Sequence, residues 1–167
     1  MKIFDFTKKT FVAVFVFFIG CILVEMCLRL FGFTHINHNT FDSKNLIIFK
    51  PNSVFTVKDI CYSADIKINS FGFHSKEYPF EKPKNTFRIV ILGDSFVEAA
   101  QVPLEKTFFV QLEEKLNEMS TGTQRYEVIA LGKSGHGTLK NLVFAREYGL
   151  KFQPDLIIEN FITNDLE

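Results

Sequence analysis

The chain has no tryptophan, only three cysteines and five prolines, and no excess of either charge: 19 basic side chains balance 19 acidic ones over 167 residues. Each shortage excludes something. A neutral balance argues against a nucleic-acid binder, which carries a basic excess or patch. Three cysteines do not make a disulfide scaffold. Cys21 and Cys27 sit in an apolar N-terminal run and Cys61 stands alone beyond it, so the body of the chain has no internal pair. No pair of His or Cys has metal-ligand spacing, so no metal and no other cofactor is expected. Repeats and low-complexity tracts are missing too. The first strong strand is followed by neither G-x-G-x-x-G nor a P-loop lysine, which weakens a nucleotide-binding reading.

What is abundant is phenylalanine, 21 residues, eight of them within the first 33. A membrane segment and a biased genome composition both produce such an excess. At 23 % charged and 47 % hydrophobic the chain is globular rather than disordered.

The N-terminus reads as a membrane anchor. Lys2, Lys8 and Lys9, offset by Asp5, precede an uninterrupted apolar run from Phe11 to Val24. That run alone is short for a span of about 20 residues. Continuation through Met26, Cys27, Leu28, Leu30, Phe31 and Phe33 makes it long enough. Glu25 and Arg29 interrupt it at i,i+4 spacing, where they can pair or reach for the interface. Lysines before the run, with few basic residues just after it, predict a cytoplasmic N-terminus and a remainder outside the cytoplasm. Three other readings fit less well. A cleaved signal peptide would need a small-x-small site after the run. A lipoprotein signal ending at Gly20-Cys21 would leave an apolar stretch behind the cysteine. A buried core helix would leave the lysine flank unexplained.

Three segments follow: 1–33 as flank and single-pass anchor, 34–86 as a polar, membrane-proximal connector, and 87–167 as an α/β region. In the connector, Ile66–Asn69 alternates like a half-buried strand, Asn69–Gly72 reads as a turn, and Pro79 to Lys84 reads as a solvated linker. From Phe87 the pattern is strand, helix, strand, helix, strand. Phe87–Leu92 and Tyr126–Leu131 are buried strands, each closed by a glycine, and Asp155–Ile162 is the third. Between the first two, Phe108, Phe109, Leu112 and Leu116 mark a helical face with Glu113 mostly opposite it. Before the third, Thr138 is expected to cap a helix with Leu139, Leu142 and Val143 on its apolar side. Such alternation predicts a parallel sheet.

Three turns then fall on one sheet edge: Gly93-Asp-Ser-Phe96 after the first strand, Gly132-Lys-Ser-Gly-His-Gly137 after the second, Thr163-Asn-Asp165 after the third. Open α/β sheets place ligand sites at that edge. A hydroxyl, a glycine-rich turn and a carboxamide converging there suit acyl transfer: the hydroxyl attacks a carbonyl if a base takes its proton, and backbone and side-chain N–H groups hold the oxyanion. Taken singly, each turn is equally ordinary strand-to-helix punctuation.

Val90-Ile-Leu-Gly-Asp-Ser-Phe96 resembles block I of the SGNH (GDSL-type) hydrolase family, Leu131–Thr138 its block II, and Thr163-Asn164-Asp165 its block III. Upstream, Glu25–Arg29, Pro51-Asn52 and Ile68–Gly72 are similar to membrane-anchored bacterial members. The resemblance implies a three-layer, flavodoxin-like parallel sheet, here expected to be incomplete. It implies Ser95 as nucleophile and backbone donor, Gly135 as backbone donor and Asn164 as side-chain donor. The implied partner is an acyl ester of an envelope polysaccharide or lipid. Two departures stand out. Ile162 replaces the glycine usual before the block III Asn, and the fourth block, Asp-x-x-His, would lie beyond Glu167. His136 sits in the oxyanion turn rather than opposite the nucleophile; His35, His38 and His74 fall in the connector and give no candidate base. The alternative is a truncated or non-catalytic homologue serving as a binding or assembly module in the envelope.

Overall fold

The computed structural model describes residues 2–30 and 37–162, with side chains from Lys8 onward. Helix α1 spans Lys2–Leu30. Its stretch Lys8–Leu30, 23 residues, is long and apolar enough to cross a membrane. At 1.5 Å per residue it extends about 35 Å, against a hydrocarbon core of about 30 Å. Its apolar side chains are exposed on every side, which suits a span rather than a helix lying along a surface. Glu25 and Arg29 pair at 2.8 Å, as their spacing predicts.

The second unit, from His38 onward, is described separately. It opens with two antiparallel hairpins. Strands β1 (Asn39–Phe41) and β2 (Ile47–Phe49) form the first, β3 (Val54–Lys58) and β4 (Ser63–Lys67) the second. The expected alternation around Ile66 is there: Ala64, Ile66 and Ile68 are buried with Phe49. The turn follows, closed by Gly72 N–H donating to the Asn69 carbonyl, while the Asn69 side chain accepts from Phe71 and Phe73 N–H.

The sheet comes next. Strand β5 (Thr86–Gly93) runs into a single helical turn, α2 (Ser95–Glu98). Helix α3 (Phe108–Met119), strand β6 (Arg125–Gly132), helix α4 (Thr138–Glu147) and strand β7 (Leu156–Glu159) complete it. The three strands are parallel in the order β6-β5-β7. Residue parity decides the layers. Ile89, Ile91, Val128 and Ala130 face one side, where Phe109 and Val110 of α3 cover them. Val90, Leu92, Ile129 and Leu131 face the other, where Phe144 and Ala145 of α4, Phe152, and Ile48 and Phe73 of the connector cover them. Full burial of each such side chain contributes about 1.5–3 kcal/mol. The segment read as a connector thus supplies core. Part of the phenylalanine excess goes here as well: Phe71, Phe80 and Phe152 cluster, and Phe73 packs edge-on to Phe144 and Tyr148.

Several local expectations need correction. Glu113 does not face solvent. It is buried, and its carboxylate accepts from Lys76 Nζ at 2.7 Å, from the Tyr78 hydroxyl and from Val128 N–H at 2.7 Å. Strand β6 is an outer strand, and its outward N–H groups need acceptors. Asn117 takes that of Tyr126, Glu113 that of Val128, and Ser75 that of Ala130. Burial and the Glu113 hydrogen bond push the Tyr78 hydroxyl pKa up. Helix α4 buries Asn141, Phe144 and Ala145, leaving Leu139, Leu142 and Val143 exposed, and its N-cap is Gly137 rather than Thr138. Strand β7 is shorter than expected, and all four of its residues are exposed.

Candidate active site

The register Gly93↔Gly132 sets the carboxyl ends of β5 and β6 side by side. Asn160 N–H donates to the Leu92 carbonyl at 2.8 Å, so β7 delivers its end to the same edge. Two of the three expected turns are thereby brought together. The third, with Asn164, lies outside the described residues.

Ser95 opens α2. Asp94 caps that turn, its carboxylate accepting Phe96 N–H at 3.0 Å. The Ser95 hydroxyl is half-buried and has one weak contact, to the other Asp94 oxygen at 3.5 Å. The turn is wedged against the end of β6: a Cβ on Gly132 would stand 2.2 Å from the backbone nitrogen of Glu98 and 2.3 Å from the carbonyl carbon of Val97. Only glycine permits that approach. After β6 the chain turns back, Lys133 N–H donating to the Gly93 carbonyl and His136 N–H to that of Lys133. Gly135 has φ +76°, a left-handed value costly for other residues, and a Cβ there would meet nothing within 4 Å. Neither the Ser95 N–H nor the Gly135 N–H has an acceptor among the described residues. Backbone donors without an acceptor, at the strand ends that also carry a hydroxyl, are among the features acyl-transfer sites use.

The turns are locked together by residues that no motif announced. The Glu98 carboxylate, buried on the same helical turn as Ser95, accepts from Lys133 Nζ, Ser134 N–H and the Ser134 hydroxyl, each at 2.7 Å. Lys133 is buried as well, its ammonium 3.6 Å from the centre of the Phe49 ring. A signal existed only in part: Glu98 lies three residues after Ser95, one helical turn on, but nothing in its spacing names Lys133 as partner.

The histidines divide. His136 is buried against Phe144, its Nδ1 without a partner among the described residues. Burial, reinforced by Lys140 and Lys133, pushes its pKa down to about 4. His74 is buried too; burial lowers its pKa, and its Nδ1 meets the Glu98 carbonyl at 3.0 Å while Nε2 has no partner among the described residues. His38 stacks on Phe55 in the connector, and His35 lies outside the described residues. Among the described residues no histidine hydrogen-bonds to Ser95, and no group of His, Cys, Asp and Glu is gathered to hold a metal. A cavity of about 520 Å³ elsewhere in this unit is lined by Asn52, Lys67, Asn69 and Leu104 among others, and by neither Ser95 nor Gly135. No protein-family model and no curated protein matches this chain.

Proposed function

We propose that this chain is a membrane-anchored SGNH-type hydrolase or acyl transferase acting on ester bonds of an envelope polysaccharide or lipid. Ser95 is the nucleophile, its proton passing to a base that is not among the described residues. The N–H groups of Ser95 and Gly135, with the Asn164 carboxamide, are the oxyanion donors. The observation that carries this reading is the pair of unpaired N–H groups at the ends of adjacent parallel strands, one of them on the serine itself. The strand order second-first-third also agrees with the start of a flavodoxin-like sheet, whose ligands bind at that edge. The long apolar helix α1 supports single-pass anchoring, and the lysines before it support a cytoplasmic N-terminus with the α/β unit outside the cytoplasm.

A second reading, a non-catalytic homologue acting as a binding module, is favoured by one fact: the only side-chain partner of the Ser95 hydroxyl among the described residues is Asp94. Hydrolysis of p-nitrophenyl acetate and butyrate by the full chain in detergent separates the two. The catalytic reading predicts turnover that Ser95→Ala reduces to background. Turnover equal in wild type and Ser95→Ala, or no turnover at all, selects the binding module.

A further inference from the structure

We infer that Glu98 is a positioning residue for the oxyanion donors. This rests on the hydrolase reading above and goes beyond it, since Glu98 belongs to none of the three turns that carry that reading. The geometry is specific. Glu98 ends the helical turn that begins at Ser95, and its N–H donates to the Asp94 carbonyl at 2.9 Å. Its carbonyl meets His74 Nδ1, so the backbone is held on that side as well. Its carboxylate, buried, is filled by three donors that all belong to the turn after β6: Lys133 Nζ and Ser134 N–H on Oε2, the Ser134 hydroxyl on Oε1. Gly135, the next residue, carries the second oxyanion donor. One carboxylate therefore links the helical turn that carries Ser95 to the turn that carries Gly135. Gly135 needs such a tether: its left-handed backbone has no packed neighbour on the Cβ side to hold it. Pre-set donors hold an oxyanion strongly, and small misplacements of them cost rate rather than binding.

The test uses the full chain in detergent and p-nitrophenyl butyrate. Ser134 is exposed, so Ser134→Ala removes one donor to Glu98 while leaving the buried Glu98–Lys133 pair intact. We expect kcat to fall about 5-fold with KM within about twofold and the melting temperature only slightly lowered, and Ser134→Thr to restore kcat. Glu98→Gln lowers kcat about 10- to 100-fold, and the double variant Glu98→Gln/Ser134→Ala falls no further, because both act through one link. Should Glu98→Gln not fold, Ser134→Ala and its Thr rescue still decide. Ser95-dependent turnover that Ser134→Ala leaves unchanged, or a kcat loss that Ser134→Thr fails to restore, overturns the role of Glu98 alone. Turnover that does not depend on Ser95 overturns the hydrolase reading and this inference together.

Discussion

The two ends of the sheet are built on opposite principles. At the amino end, polar groups are paired to completion around Arg88, which is wholly buried. Its guanidinium donates to Glu127 at 2.6 Å and to the carbonyls of Phe152, Phe80 and Glu81. Asp155 accepts Arg88 N–H and Lys82 Nζ, each at 2.7 Å, and these donors hold its carboxyl below the usual range. At the carboxyl end, two backbone N–H groups and two histidine nitrogens, on His74 and His136, have no partner among the described residues. For the two buried histidines, an unpaired polar group costs about 1–3 kcal/mol. The amino end therefore helps hold the fold together, while the carboxyl end carries polar groups that have no partner among the described residues.

The largest expected effect breaks the comparison at its stable end. Arg88→Ala strands three carbonyls and the Glu127 carboxylate, and should lower unfolding free energy by about 3–5 kcal/mol in a urea titration. Next, Gly132→Ala forces the Ser95 turn away from β6. A loss of about 2–3 kcal/mol is expected, together with ester hydrolysis near background at temperatures where the variant is still folded. If hydrolysis survives, the packing of that turn does not matter to the chemistry. The smallest effect concerns pH. His136 has its folded pKa lowered from an ordinary 6.5 to about 4 by burial and by the nearby Lys140 and Lys133. The neutral ring is the folded form, so its contribution is complete above pH 6.5 and is lost as pH falls towards 4. Unfolding free energy should drop by about 1–3 kcal/mol across that window. His74 slopes the same way, so the difference between wild type and His136→Gln isolates His136; identical slopes would contradict the assignment.

How far the sequence could be read follows the same division. Strands β5 and β6 were legible because burial on both faces writes them as continuous apolar runs. The glycines closing them were legible as turns, although the reason Gly132 must be glycine, a backbone pressed onto its Cβ position, depends on a helical turn 34 to 35 residues earlier in the chain. Helix α4 misled because its buried face carries Asn141, whose amide donates to Glu159 at 2.9 Å, so the exposed Leu139, Leu142 and Val143 looked like core. Glu113 misled for the reason any buried carboxylate does: its partners Lys76, Tyr78 and Val128 come from a distant segment and a neighbouring strand. Of the site, Ser95 and Gly135 were visible as motif positions. Glu98 and Lys133 were not, since their pairing exists only once β5 and β6 lie in register.

The most direct measurement of the central claim is covalent trapping. The full chain in detergent is treated with a fluorophosphonate and digested, and the adduct is mapped by mass spectrometry. An adduct on the peptide containing Ser95, absent from Ser95→Ala and slowed in Gly132→Ala, is the predicted result. No adduct, or one on another residue that persists in Ser95→Ala, would contradict it.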